Sequence, residues 1–212
     1  MNQWLDTEED IIFYDSATKM LENASVLDDA DVIFDLNFDD HPELIEHFAG
    51  LENKIVFLSA IKLQLSAVTE KYKSPVKSMI VGMNACPTFI NRPVAELTLL
   101  NQADEKKLEE IAKQLGISYT LVNDRVGMVS ARILFMIINE AYYTLEEGTA
   151  SKEDINLAMK LGTNYPYGPF EWASRIGIKD IYETLKAVHE DTGNERYEIC
   201  PMLEVKYQEG EN

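Results

Sequence analysis

The sequence predicts an α/β domain built on a mostly parallel sheet, followed by an all-helical domain. Two observations predict it. Up to about residue 122, short and nearly continuous apolar runs alternate with helix-patterned segments, the signature of parallel strands joined by crossovers. From Gly127 onward the patterning is helical only. The boundary falls near 123–128, giving an α/β domain over 1–124 and a helical domain over 125–212.

The elements follow in order. DIIFYD (10–15) reads as a short buried strand ending at Asp15, with a helical SATKMLENA behind it. DADVIFDLNF (29–38) is a second strand candidate, followed by the helical HPELIEHFAGL. NKIVFLSA (53–60) is a third, followed by the helix QLSAVTEKY, and SMIVGMN (78–84) is a fourth. Ligands on such sheets bind at the carboxyl ends of strands, where Asp15, Asn37, Ser59 and Asn84 fall. ADEKKLEEIAKQLG (103–116) is an amphipathic helix, with Asp104 as the expected N-cap and Gly116 as the stop. ISYTLV (117–122) is a further strand. SARILFMIINEAYYTLEEG (130–148) is apolar around most of its circumference, as a central helix would be. SKEDINLAMKLG (151–162) opens on a capping box, Ser151 with Asp154, and is expected to close at Gly162. FEWASRIG and IKDIYETLKAVHED are also helical. The polar tail YQEGEN is expected to fray.

Composition narrows the function. The 212 residues carry 37 acidic and 19 basic side chains, a formal charge of −18. Nucleic acid and anionic membranes both require a basic surface, so neither is an expected partner. No stretch approaches the roughly 20 apolar residues of a membrane span. The start MNQWLDTEED is acidic, where a secretion signal would be basic and then apolar. Cys86 and Cys200 are far apart and lack metal-ligand spacing, so a reduced, cytoplasmic protein with no metal site is expected.

One stretch carries a chemical question. VGMNACPTFINRPVAELTLL (81–100) begins as a strand and ends as an apolar run containing Glu96. A carboxylate in an apolar run needs a partner.

Several segments together resemble the 3-hydroxyacyl-CoA dehydrogenase family. The most specific is RILFMIINEAYYTLEEGTASKEDINLAMKLGTNYPYGPFEWASRIG (132–177), similar to the family's C-terminal domain almost position by position. VNDRVGMVSAR (122–132) resembles the interdomain motif V-x-D-x-P-G-F-V-x-N-R. DADVIFDLNFDDHPELIEHF resembles the family's fourth strand and following helix. The 81–100 stretch resembles its catalytic strand, G-M-H-F-F-N-P followed by V-E-V.

The resemblance implies a Rossmann-like domain joined to a helical domain like that of 6-phosphogluconate dehydrogenase, through which the family dimerises. It implies NAD as cofactor and an acyl-CoA-type substrate, the 3-hydroxyacyl thioester being oxidised to the 3-ketoacyl form. A His acts as general base and a Glu orients it, while a Ser and an Asn bind the substrate oxygen. Carried over, the orienting Glu is Glu96, and the position of the His, 12 residues earlier, holds Asn84. The family's interdomain Asn and Pro are Ala131 and Val126. Its N-T-S-S run falls in SAIKLQ (59–64), where its Ser aligns with Lys62 in one register and Leu63 in another. Asp15 stands where the family's ribose-binding acid would be, but without a Gly-rich loop it is read first as the cap of the helix at 16–24. No G-x-G-x-x-G occurs, and the residues ahead of DIIFYD are too few for the strand and helix that would flank such a loop.

An amide cannot take up a proton at neutral pH, so Asn84 cannot be a general base. Without a glycine turn and helix N-terminus, a pyrophosphate lacks its main binding site. The expectation is a shortened, degenerate family member, impaired or inactive as a dehydrogenase. The alternative is a non-catalytic acyl-CoA-binding or dimerising interaction protein. Asn84 is expected to donate its side-chain amide to Glu96. The remaining candidates read as structural: His41, His47 and His189 as surface residues, Cys86 as a small buried hydrophobe, the acidic DTEED and NFDD as solvated faces or helix starts, and Tyr165–Pro169 as a turn.

Overall fold

The computed structural model describes residues 11–14, 30–73 and 75–210. Asp15, the helix expected at 16–24 and the acidic run at 6–10 therefore lie outside the described residues. The chain divides into two compact units, one comprising residues up to 85 with 89–128, the other 86–88 with 129–212.

The first unit holds a sheet of β1 (Ile11–Tyr14), β2 (Val32–Asp35), β3 (Ile55–Ser59), β4 (Met79–Met83), β5 (Ala95–Leu99) and β6 (Tyr119–Leu121). The spatial order is the chain order, β1-β2-β3-β4-β5-β6. β1 to β4 pair in parallel, β5 runs antiparallel to β4, and β6 is parallel to β5. The mostly parallel sheet is as expected. The reversal at β5 is not, because its strand pattern merges with the apolar run that follows Asn84.

That reversal decides which face each helix covers. A right-handed crossover between strands of reversed direction, advancing the same way across the sheet, lands on the opposite face. α1 (Ile45–Gly50) and α2 (Leu65–Tyr72) pack Ile45, Phe48, Leu65 and Val68 against Ile33, Val56, Leu58 and Ile80. α3 (Glu105–Gln114) packs Leu108 and Ala112 on the other face, with Phe34, Phe57, Val81 and Leu97. The near-continuous apolar strands are thus explained, since β3 and β4 are buried at every position.

α3 ends as expected, with Gly116 in the left-handed region at φ +67°. Its start is a correction. Asp104 makes no side-chain cap. A 3-10 turn over Gln102–Asp104 precedes the helix, and Asn101 Oδ1 accepts the Ala103 N–H at 3.1 Å.

The second unit contains α4 (Ser130–Glu146), α5 (Lys152–Thr163), α6 (Pro169–Ile176), α7 (Ile178–Thr192) and α8 (Pro201–Gln208). α4 is central, as its sequence implied, and packs against α6, α7 and α8. Its buried Asn139 donates to the Glu198 carbonyl at 2.8 Å and accepts from the Cys200 N–H at 2.9 Å, tying the start of α8 to α4. Ser151 caps α5 as expected, accepting the Asp154 N–H at 3.2 Å and donating to the Asp154 carboxylate at 2.7 Å. Gly162 is not the stop. The helix runs through it to Thr163, and Asn164 terminates it at φ +56°, a conformation Asn tolerates because its short polar side chain bonds locally. Nor does the tail fray at Tyr207. Its ring stacks on Tyr182 with centroids 4.1 Å apart, and its hydroxyl donates to Glu183 at 3.0 Å.

Candidate functional site

The site lies at the carboxyl ends of β2, β3 and β4. Because β5 is antiparallel, its first residues return to the edge where β4 ends. The register pairs Met83 with Leu97, so Asn84 faces Glu96 one step further. Their backbones are joined, Asn84 N–H donating to the Glu96 carbonyl at 3.1 Å. The side chains meet as expected. Asn84 Nδ2 donates to Glu96 Oε2 at 3.4 Å, a long bond and correspondingly weak. Asn84 is 5% exposed, whereas Glu96 is half-buried rather than enclosed. Burial pulls the pKa of Arg92 down and the nearby Glu96 charge opposes it. The Arg92 guanidinium lies 4.0 Å over the Phe89 ring. In the same connection Thr88 holds φ +74°, a strained value for a β-branched residue.

A second constellation was not legible in the sequence. Asp39, read there as part of a solvated acidic run, turns inward. Its carboxylate accepts from Ser59 Oγ at 2.5 Å, from Lys62 N–H at 2.8 Å and from Ile61 N–H at 3.2 Å. Asp40 keeps the expected exposed role and pairs with Lys62 Nζ at 2.8 Å. Burial pushes the Asp39 pKa up, against the opposing pull of Ser59, the two backbone N–H groups and Lys62. In the segment 59–64 the one hydroxyl, that of Ser59, is committed to Asp39. A hint lay in the spacing of NFDD, two residues beyond a strand end and hence at the ligand edge of the sheet.

Asp35, 4% exposed at the end of β2, accepts the Asn37 N–H at 2.9 Å. Burial raises its pKa, Asn37 and His41 lower it, and Asp39 raises it further. The folded state therefore holds this proton more tightly than the unfolded chain. Stability falls as pH climbs from the ordinary carboxylate value through the raised one. Asp35→Asn keeps an acceptor oxygen for Asn37 and removes the ionisation. Thermal melting should place it above the parent at pH 7 and no higher than the parent near pH 3. Melting below the parent at pH 7 would show the charge to be compensated.

Asp124, from the interdomain motif, has a structural task. Its carboxylate accepts the N–H groups of Leu65 and Ser66, each at 2.9 Å, and so caps α2 from a distance. Of the other candidates, Ala131 and Val126 are buried, as is Cys86. His41 pairs with Glu43 at 3.5 Å, and like His47 and His189 it is half-buried. Among the described residues no group of three or more His, Cys, Asp or Glu side chains could hold a metal ion, and no helix is long and apolar enough to cross a membrane.

A dinucleotide would meet two obstacles here. Open parallel sheets form their ligand crevice where strand order reverses, and the described strands run from β1 to β6 without reversal. The N–H donors of Ile61 and Lys62 beyond β3 are already taken by Asp39. Among the described residues, neither the strand order nor the N–H groups after β3 offers a pyrophosphate its usual donors.

The chain is thus a mostly parallel sheet unit and a helical unit, with Asn84 and Glu96 paired at the strand ends of the sheet. A family model described as 3-hydroxyacyl-CoA dehydrogenase, C-terminal domain, matches residues 127–212. The 3-hydroxybutyryl-CoA dehydrogenase of Clostridioides difficile is 28% identical over 210 residues, which cover 95% of this chain and 73% of that protein. The probable 3-hydroxybutyryl-CoA dehydrogenase of Bacillus subtilis is 33% identical over 143 residues, 66% of this chain and 48% of that one. The crystal structure of (S)-3-hydroxybutyryl-CoA dehydrogenase from Ralstonia eutropha matches with a TM-score of 0.68 at 25% identity, over 91% of this chain and 77% of that one. The chain is similar to the 3-hydroxyacyl-CoA dehydrogenase family, and its residues 127–212 match that family's C-terminal domain. It spans less than half the length of the relatives it matches at 33 to 42% identity.

Proposed function

We propose that this chain is a family member without dehydrogenase activity, acting as a dimerising protein. The observation that carries the reading is Asn84, which faces Glu96 where a proton acceptor is required. An amide has no basic lone pair to offer a 3-hydroxyl, so removal of that proton has no agent. The poor fit to NAD supports the same reading from the side of the cofactor.

The test is calorimetric and kinetic. The parent protein should show no heat of binding with NADH and no turnover of acetoacetyl-CoA with NADH. Asn84→His should remain inactive, because Ala131, the occupied N–H groups after β3 and the strand order are unchanged. Turnover by the parent, or a dissociation constant for NADH of about 10 μM or tighter, roughly −7 kcal/mol, would overturn the reading. Saturable binding of acetoacetyl-CoA without NADH would instead favour an acyl-CoA-binding protein.

The dimer reading rests on the second unit. A groove of about 820 Å³ lies along α4 and α5, floored by Ile133, Met136, Ile137 and Ala158. Ile133 is 56% exposed, and Leu157 and Leu161 of α5 are exposed too. Contiguous apolar surface of this kind marks an association site. The groove carries both signs of charge, Arg132 and Arg196 with Glu140 and Asp154, as a two-fold contact between identical copies requires. Light scattering at micromolar concentration should give a dimer, and Ile133→Glu a monomer. A monomeric parent would refute it.

A further inference from the structure

A second groove of the helical unit, about 660 Å³, is lined by Lys152, Lys160, Tyr167, Phe170, Glu171 and Arg175. It gathers three cations on a chain with 37 acidic and 19 basic residues. Lys160 is spoken for, pairing with Glu171 at 2.7 Å. Glu171 also accepts the Gly168 N–H at 2.8 Å. These two contacts, the Lys160 bond first, hold its carboxyl below the usual range, and the charges of Lys160 and Arg175 add to them, so its charge is committed.

Lys152 and Arg175 are held differently. Neither forms an ion pair among the described residues, and both sit on aromatic rings. The Arg175 guanidinium lies 3.9 Å from the Tyr167 ring centre, and Lys152 Nζ lies 5.5 Å from that of Phe170. The rings are themselves locked, Tyr167 edge-on to Trp172 at 4.9 Å and Phe170 edge-on to Tyr142 at 5.1 Å. Stacking covers the flat face of a guanidinium and leaves its edge of N–H donors open, the edge that matches two oxygens of a phosphate. Lys152 has no ion-pair partner among the described residues, and Arg175, whose charge also acts on Glu171, keeps its edge of donors open over the Tyr167 ring, so both are placed to meet an anion. Glu153 is the one lining carboxylate that is not committed to Lys160. The groove volume lies within the range of small-molecule sites.

We propose that this groove binds a phosphate-bearing small anion, with Arg175 and Lys152 supplying the recognition. The site is independent of the Asn84–Glu96 pair and requires no catalysis. The experiment is calorimetry on the full chain at low salt, with inorganic pyrophosphate and with ADP in separate titrations. Saturable binding is expected, at least tenfold weaker in Lys152→Gln/Arg175→Gln. Binding should be tighter in Glu153→Gln, which removes the opposing charge, and partly preserved in Arg175→Lys. Equal affinity for the two probes assigns the site to phosphates alone. ADP binding at least tenfold tighter assigns it to nucleotides. Absence of saturation by either probe up to about 10 mM, or equal binding by parent and double variant, would overturn the proposal.

Discussion

Asp39→Ala should destabilise the sheet unit by about 3 kcal/mol, because it orphans three donors at once. The Ser59 hydroxyl and the N–H groups of Ile61 and Lys62 all end on this carboxylate. A buried donor left unsatisfied costs roughly 1–3 kcal/mol, and partial relief by water or by local movement keeps the sum below the full total. For a chain of this size the melting midpoint should fall by roughly 6–12 °C. Asp39→Asn should lie between parent and Ala variant, since its amide keeps one acceptor oxygen but turns an N–H₂ towards other donors. A loss below about 0.5 kcal/mol in Asp39→Ala would mean that water substitutes fully for the carboxylate. The same variant bears on function. If it gains NADH binding, the occupied N–H groups were the obstacle; if it does not, the strand order is sufficient.

Phe57→Ala should cost about 3–5 kcal/mol, the range for removing a fully buried aromatic side chain. Phe57 is 1% exposed on the central strand β3, and its ring stacks on Phe34 with centroids 4.6 Å apart and planes 11° from parallel. Its loss removes transfer energy, leaves a cavity between β2 and α3-side neighbours, and ends an aromatic pair worth a further 0.5–1.5 kcal/mol. Denaturant titration followed on the sheet unit is the measurement. Val76→Ala serves as the control: Val76 is 46% exposed, and truncation should change stability by no more than about 0.5 kcal/mol. A Phe57 variant indistinguishable from that control would show that the unit repacks.

The helical half was legible because helices are written locally. The period of α4, the cap at Ser151 and the run from Tyr165 to Pro169 sit within a few residues of the contacts they specify. The strands β2, β3 and β4 were legible for a related reason, being buried on both faces and therefore apolar throughout. The pair of Asn84 and Glu96 was legible only through the family resemblance and the 12-residue spacing it set, and the hydrogen bond between them follows from the β4–β5 register.

What the sequence by itself determined was the class of each half and a net charge of −18, while the placing of Asn84 at the position of a base came from the family resemblance. Tertiary structure alone decided the direction of β5, the inward turn of Asp39 and the capping of α2 by Asp124. Each of these joins residues 20 or more positions apart or depends on which neighbour a strand selects, and no local periodicity encodes that choice. A carboxylate in an acidic run looks the same whether water or three buried donors receive it, and only the folded neighbourhood of Ser59 distinguishes the two.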